Sequence, residues 1–280
     1  MKFEHTRTMN WEGAFRGMRN PKNSWHKSDS IFGICNIADG KEFKRFKDNK
    51  GHLLDKDGNI SRVAYKVYES WPYAEVVSIG DEDMKLAKNL VRGGGEHRKF
   101  MRQIFVCVDI SAPMYWWKEF DTYKVATVRN SCSTMHKIHS KEITEDDFEH
   151  DAIDIVIKSD FEMEKAMTGH DPFDRTIAFC EKARQLFNET GEKKYWRALI
   201  QMLPDSYIMK ATVTMNYENL FGMCSKGQRR FHKQNEWSGI DMQELPNFIG
   251  WARTLPYAQD LIFIDELDDA IAEFVEFVKE

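Results

Sequence analysis

At 280 residues and 42% hydrophobic, the chain can bury a sizeable core as one large domain or two small ones. Its net charge of −5 argues against a dedicated nucleic-acid binder, which is ordinarily basic, and no apolar run or leader-like opening marks a membrane span or a signal peptide. The five cysteines are odd in number and never spaced C-x-x-C, which excludes a disulfide frame or a cysteine zinc cage and predicts a reduced, cytoplasmic protein.

The first expected element is a short amphipathic helix from Trp11 to Met18, stopped before Pro21. Residues 43–61, FKRFKDNKGHLLDKDGNIS, carry turn signals at Asn49-Lys50-Gly51 and Asp57-Gly58 and predict a surface hairpin. The same stretch half-matches a calcium loop, but Leu53 and Ala64 would fill the first and last ligand positions and cannot coordinate the ion. DEDMKLAKNLVRGGG predicts a helix with an acidic first turn, apolar positions at Met84, Leu86, Ala87, Leu90 and Val91, and a glycine stop. Gly93–Gly95 lack the spacing of a dinucleotide fingerprint and read as a helix cap and tight turn. Alternation at Ile104, Val106, Val108 and Ile110 predicts a strand, and Pro113 opens the helix PMYWWKEFDTYK.

The second half reads as mostly helical. Thr144, three residues before Asp147, predicts a capping-box helix start in TEDDFEHDAI. Further helices are expected in DPFDRTIAFCEKARQLFNETG, KKYWRALIQMLP, TMNYENLFGMC and DELDDAIAEFVEFVKE. The fold class is α+β, a central sheet with several helices, in a single domain over residues 1–280.

Three stretches carry side chains suited to chemistry. GEHRKFMRQ brings Glu96, His97, Lys99 and Arg102 to the start of a strand, as surface residues or as ligand contacts. DTYKVATVRNSCSTMHKIHS holds Lys124 and Arg129, which can meet phosphate, and Asn130, Ser131 and Ser133, which suit a base and ribose; the same hydroxyls could instead cap a polar helix end. MNYENLFGMCSKGQRRFHKQNEW sets Asn216, Arg229, Arg230, His232 and Glu236 along a helix and the turn after it, or along a solvated face. If residues 132–136 were helical, Cys132 and His136 would share a face, as a nucleophile pair would. His136 and His139 lack a third metal ligand placed by sequence, so no metal site is expected.

Taken in order, these stretches resemble the flavin-dependent thymidylate synthase family. Glu96-His97-Arg98-Lys99-Phe100 is similar to the family's E-H-x-x-F. Thr122–Thr127 followed by Asn130-Ser131-Cys132-Ser133 is similar to its R-H-R-x-x-S-x-N-E-x-S-x-R. Leu203-Pro204, Met215–Leu220, Arg229 and Glu236 are similar to its later L-P, N-x-R-x-L and basic-turn elements. The likeness spans residues 90–240. Of R-H-R only the positive charge of Lys124 is kept, Ser131 stands for the glutamate, Met135 for the last arginine, and Glu218 for the arginine of N-x-R-x-L.

The resemblance implies a diverged, phage-like member that methylates a pyrimidine deoxynucleotide, dUMP to dTMP, with FAD as cofactor and NADPH and methylenetetrahydrofolate as co-substrates, in a homotetramer. It implies that residues 90–240 form the nucleotide- and flavin-binding core, with His97, Lys124 and Asn216 toward flavin. It also implies that Asn130, Ser131, Ser133 and Arg229 contact the nucleotide, Ser133 and Arg229 being the catalytic pair. The alternatives are a different pyrimidine substrate, selected by Ser131 in place of glutamate, and a non-catalytic nucleotide-binding protein of the same fold.

Overall fold

The computed structural model describes residues 1–36, 73–133, 137–153, 156–157, 167–168, 170–229, 232–238, 246–269 and 271. The hairpin expected at 43–61 lies outside the described residues. Four strands, β1 (Lys2–Met9), β4 (Phe105–Pro113), β8 (Ile208–Asn216) and β5 (Val128–Ser131), form one sheet in the order β1-β4-β8-β5. Two small antiparallel pairs join β2 (Ile31–Asn36) to β3 (Tyr73–Ser78) and β6 (Val156–Ile157) to β7 (Met167–Thr168). The α+β expectation is met.

The central strand behaves as its alternation requires. Val106, Val108, Ile110 and Ala112 point to the buried side of β4. Each Val or Ile so removed from water contributes roughly 1.5–3 kcal/mol. Strand β8 does the same with Ala211, Val213 and Met215. The sequence reading placed Thr214–Asn216 at the start of a helix; these residues instead finish a strand, and the helix begins at Tyr217.

The chain packs into two compact units. The first comprises Met1–Lys2, Ile110–Thr122 and Arg129–Thr212, and the second comprises Phe3–Asp109, Tyr123–Val128 and Val213–Glu280.

In the first unit, helix α3 (Met114–Phe120) follows Pro113, which supplies the extended residue before the first turn. Trp116, Trp117 and Phe120 pack ring against ring and are at most 2% exposed. The Trp117 indole N–H is shared between the carbonyls of Ala112 and Met209, at 3.1 and 3.0 Å. These aromatics are spent on the unit's own core. Helices α4 (His170–Thr190) and α5 (Lys193–Met202) lay Cys180, Ala183 and Leu199 against Ile138, Ile143 and Phe148. The expected capping box of Thr144 and Asp147 is present, but it opens only a 3-10 turn, Glu145–Asp147. Phe148 leaves that turn extended, buried in the cluster and bridged to Tyr207.

In the second unit, helix α1 (Trp11–Arg19) and helix α2 (Asp81–Arg92) follow the predicted spans within a residue or two. Trp11 packs edge-on to Tyr217 and Tyr257, and Phe15 to Phe100. Helix α2 stops at Gly93, and Gly94 adopts φ 93°, in the left-handed region where glycine is strain-free. Residues 264–269 are helical, and the remainder of the expected C-terminal helix lies outside the described residues, apart from Ile271. No helix among the described residues is long and apolar enough to cross a membrane.

Candidate functional site

The second unit brings three separately noted stretches to one place, the first turn of helix α6 (Tyr217–Cys224). Strand β8 delivers Asn216, where the backbone is extended before it coils. The Asn216 side-chain oxygen accepts from the Asn219 N–H at 2.9 Å, and the Asn219 side-chain oxygen accepts from the Asn216 N–H at 3.1 Å. This reciprocal cap satisfies two backbone donors that would otherwise be orphaned. Asn216 is buried, and its oxygen is occupied in holding the helix start.

Glu218 leaves that first turn toward the 3-10 helix Arg98–Gln103. Its carboxylate accepts from Arg98 Nε at 3.2 Å, from Arg102 Nε, and from Arg102 Nη2 at 3.3 Å. Arg102 Nη2 also lies 3.4 Å from the Gly95 carbonyl, and the Arg98 guanidinium sits 4.3 Å from the centre of the Phe221 ring. Burial pushes the Glu218 carboxyl up, but the hydrogen bonds from Arg102 and Arg98 outweigh it, so its pKa falls below the ordinary value. From the next residue, Asn219 Nδ2 donates to the Val125 carbonyl at 2.7 Å. That bond ties the Lys124 turn to the same helix end. The turn is tight: Ala126 adopts φ 57°, in the left-handed region.

His97 is exposed on the turn before the 3-10 helix and rests on Gly93, where an added Cβ would come within 3.1–3.2 Å of it. Lys124 is exposed on its own turn. The Thr127 hydroxyl in that turn is buried without a hydrogen-bond partner, as is the side-chain oxygen of Gln234. His232 is buried, stacked on Trp237 with ring centres 4.3 Å apart, and its Nε2 lies 3.0 Å from the Met223 carbonyl. The Arg229 backbone is in the short helix α7 (Lys226–Arg229), and its side chain lies outside the described residues.

The remaining sequence candidates belong to the first unit. Asn130 and Ser131 lie on the exposed strand β5 and Ser133 follows it, half-buried. For Asn130 and Ser131 a strand takes the place of the polar helix end, whereas Ser133 lies past the strand and its carbonyl accepts from the Lys137 N–H at 3.0 Å. Cys132 is exposed and outside any helix, its N–H bonded to the Lys210 carbonyl at 2.9 Å. Its expected partner, His136, lies outside the described residues. Arg129 is already engaged: it pairs with Asp121 at 3.1 Å and lies 4.8 Å from the Trp117 ring centre. His139 packs edge-on to Phe187. Among the described residues no three His, Cys, Asp or Glu side chains gather as a metal site would require.

Sequence reasoning registered Glu218 only as a missing arginine and passed over Arg98. The readable signal was two arginines, Arg98 and Arg102, close together in the chain. Their acceptor, more than a hundred residues away, carries no local mark.

No protein-family model and no curated protein sequence matches this chain. Among solved structures, the flavin-dependent thymidylate synthase ThyX from Helicobacter pylori, complexed with FAD and dUMP, aligns with TM-score 0.52 and 13% identity over 95% of this chain and 99% of its own. A second structure of that enzyme with FAD and dUMP gives 0.51 and 14% over 95% and 98%. A UMP/dUMP methylase, PolB from Streptomyces cacaoi, aligns at 0.41, too low to bear weight. The chain has the fold of the flavin-dependent thymidylate synthases.

Proposed function

We propose that the protein is a flavin-dependent enzyme that methylates a pyrimidine nucleotide. The observation that carries this reading is the meeting of the His97, Lys124 and Asn216 stretches at one helix end, in a chain with that fold. The residues present fit a phosphate-bearing aromatic cofactor. Arg98 and Arg102 have guanidinium N–H groups beyond those given to Glu218, Lys124 is exposed, and the Thr127 hydroxyl is buried without a partner. Flavin, when bound, supplies hydride chemistry.

The chain's own residues do the positioning. Lys124 offers a point charge to a phosphate, and His97 offers an exposed imidazole. Asn216 acts through the helix start it caps, which sets where Glu218 and Asn219 emerge. Asn130, Ser131, Ser133 and Arg229 are assigned to the nucleotide, with Ser133 and Arg229 as the catalytic pair. The finer form of the proposal is dUMP to dTMP with methylenetetrahydrofolate as donor and NADPH as reductant, in a homotetramer, with residues 90–240 as the binding core of one functional domain. The absorbance spectrum of the purified protein tests it: bound oxidised flavin is yellow. A colourless preparation that also fails to take up added flavin overturns the reading.

One observation favours a second reading. Glu218 puts a carboxylate where the resembling pattern has an arginine, and that carboxylate is already satisfied by two guanidinium groups. A non-catalytic nucleotide-binding protein would tolerate this. Nucleotide binding without turnover in the presence of flavin, folate and NADPH would select it.

A further inference from the structure

Glu218 is one carboxylate shared by two arginines. The cluster carries a net positive charge, and the ways its three members are held differ in a telling manner. Glu218 is 17% exposed and accepts from both guanidinium groups. Arg98 is 23% exposed, with its plane over the Phe221 ring and only its Nε given to Glu218. Arg102 is 51% exposed, with Nε and Nη2 given to Glu218 and the Gly95 carbonyl. Among the described residues, both Arg98 terminal nitrogens and Arg102 Nη1 have no hydrogen-bond acceptor. A half-buried guanidinium, stacked on an aromatic ring and fixed at one edge, is a planar fork held ready for an anion. A salt bridge serving only stability would gain little from holding two such groups at a surface.

We propose that Arg98 and Arg102, oriented by Glu218, form an anion subsite that takes a phosphate ester. Glu218 is the positioning residue and the two arginines make the contact. The subsite rests on the flavin and nucleotide reading only for which phosphate ester fills it. The chemistry is common to the diphosphate of FAD and the monophosphate of a nucleotide, so the test must separate them.

Calorimetric titrations of FAD, dUMP and pyrophosphate into the wild-type protein and into Arg98→Gln, Arg102→Gln, the double variant and Glu218→Gln provide that test. Riboflavin and deoxyuridine serve as phosphate-free counterparts, and circular dichroism confirms that each variant is folded. The expected result is a loss of about tenfold or more for one phosphate ester in either arginine variant, with its phosphate-free counterpart unchanged. The ester that responds identifies the source. Glu218→Gln should weaken the same ester although it makes the cluster more positive, because the fork is no longer aimed. Tighter binding by Glu218→Gln would overturn the positioning role. Wild-type affinity of the folded double variant for FAD, dUMP and pyrophosphate would overturn the subsite. If the wild type binds pyrophosphate but neither FAD nor dUMP, and the double variant loses pyrophosphate, the subsite stands and the flavin reading falls. Binding of none of the three by the wild type overturns both.

Discussion

Arg19 Nε donates to Asp83 Oδ1 at 2.5 Å in a place where neither side chain is more than 5% exposed. The second Asp83 oxygen accepts from the Ser28 and Ser30 hydroxyls, each at 2.5 Å, so the carboxylate has partners on both sides. The pair locks the end of α1 to the start of α2. Asp83→Ala leaves a buried, uncompensated guanidinium and two hydroxyls without an acceptor. It should cost about 3–5 kcal/mol in urea unfolding. A cost below 1 kcal/mol would mean that the site relaxes to admit water.

Beside that pair, Asp29 acts as a cap from a distance. Its two oxygens accept from the Glu82 and Asp83 N–H groups at 2.9 and 3.0 Å, and they fill the space over Gly80. A Cβ on Gly80 would sit 2.1–2.4 Å from the Asp29 carboxyl. Gly80→Ala should therefore expel the cap and cost about 1–2 kcal/mol, as should Asp29→Ala. Because both remove the same interaction, the double variant should cost little more than either alone. Additive losses in a thermal unfolding cycle would refute the shared cause.

Glu181 gives the first unit an acid-sensitive fastening. Its carboxylate takes two hydrogen bonds from Arg184, one from the Ile143 N–H and one from Gln185, and Arg184 and Asn188 in turn reach the His139 carbonyl. The Arg184 hydrogen bonds lead in drawing its pKa from 4.5 to about 2, against the opposing effect of burial. A depressed carboxyl pKa contributes stability that is fully present above the ordinary value and is lost as pH falls through the folded one. Glu181→Gln should thus be less stable than the parent at pH 7, by at most about 3 kcal/mol. The gap should close between about pH 4.5 and pH 2. A gap independent of pH over that window would show that the carboxylate's charge contributes nothing.

How much of this was legible depends on where each signal resides. The alternation from Val106 to Ile110 and the apolar rows of α1, α2, α4 and α5 are local, and they gave true elements. Strand β1 was missed because its sequence, KFEHTRTM, buries only Thr6 and so lacks an apolar face to read. Strand β8 alternates, but Lys210, Thr212 and Thr214 dilute the pattern next to a strong helical run. In the site, Lys124 and His97 were singled out by residue type, but Lys124 was expected in the helix opened by Pro113, which ends at Phe120 and leaves Lys124 on a turn. The arginine partners of Glu218 are a tertiary fact, whereas the Asn216 cap is local, a reciprocal bond with Asn219 three residues on. A single sequence names a charged residue without naming its counter-charge.

Lys124 is exposed. If its charge meets a cofactor phosphate, Lys124→Ala should weaken flavin uptake while leaving the unfolding midpoint within about 0.5 kcal/mol of the parent. Superimposable flavin titration curves for the two proteins would contradict the assignment.

Cys132 and Ser133 are neighbours that stand for two mechanisms. A covalent route needs a thiolate at Cys132 with a base beside it, and Cys132 lies exposed outside any helix. A flavin route needs only a polar wall, to which the half-buried Ser133 would contribute its hydroxyl. Cys132→Ala should keep most nucleotide binding, since an exposed thiol gives up little packing. Ser133→Ala should lose one polar contact to an anionic ligand, roughly 1.5–3 kcal/mol or about one to two decades of affinity. Calorimetry with dUMP measures both, and mass spectrometry detects any adduct. A trapped adduct on Cys132, or full binding by Ser133→Ala beside an inactive Cys132→Ala, would reverse the assignment.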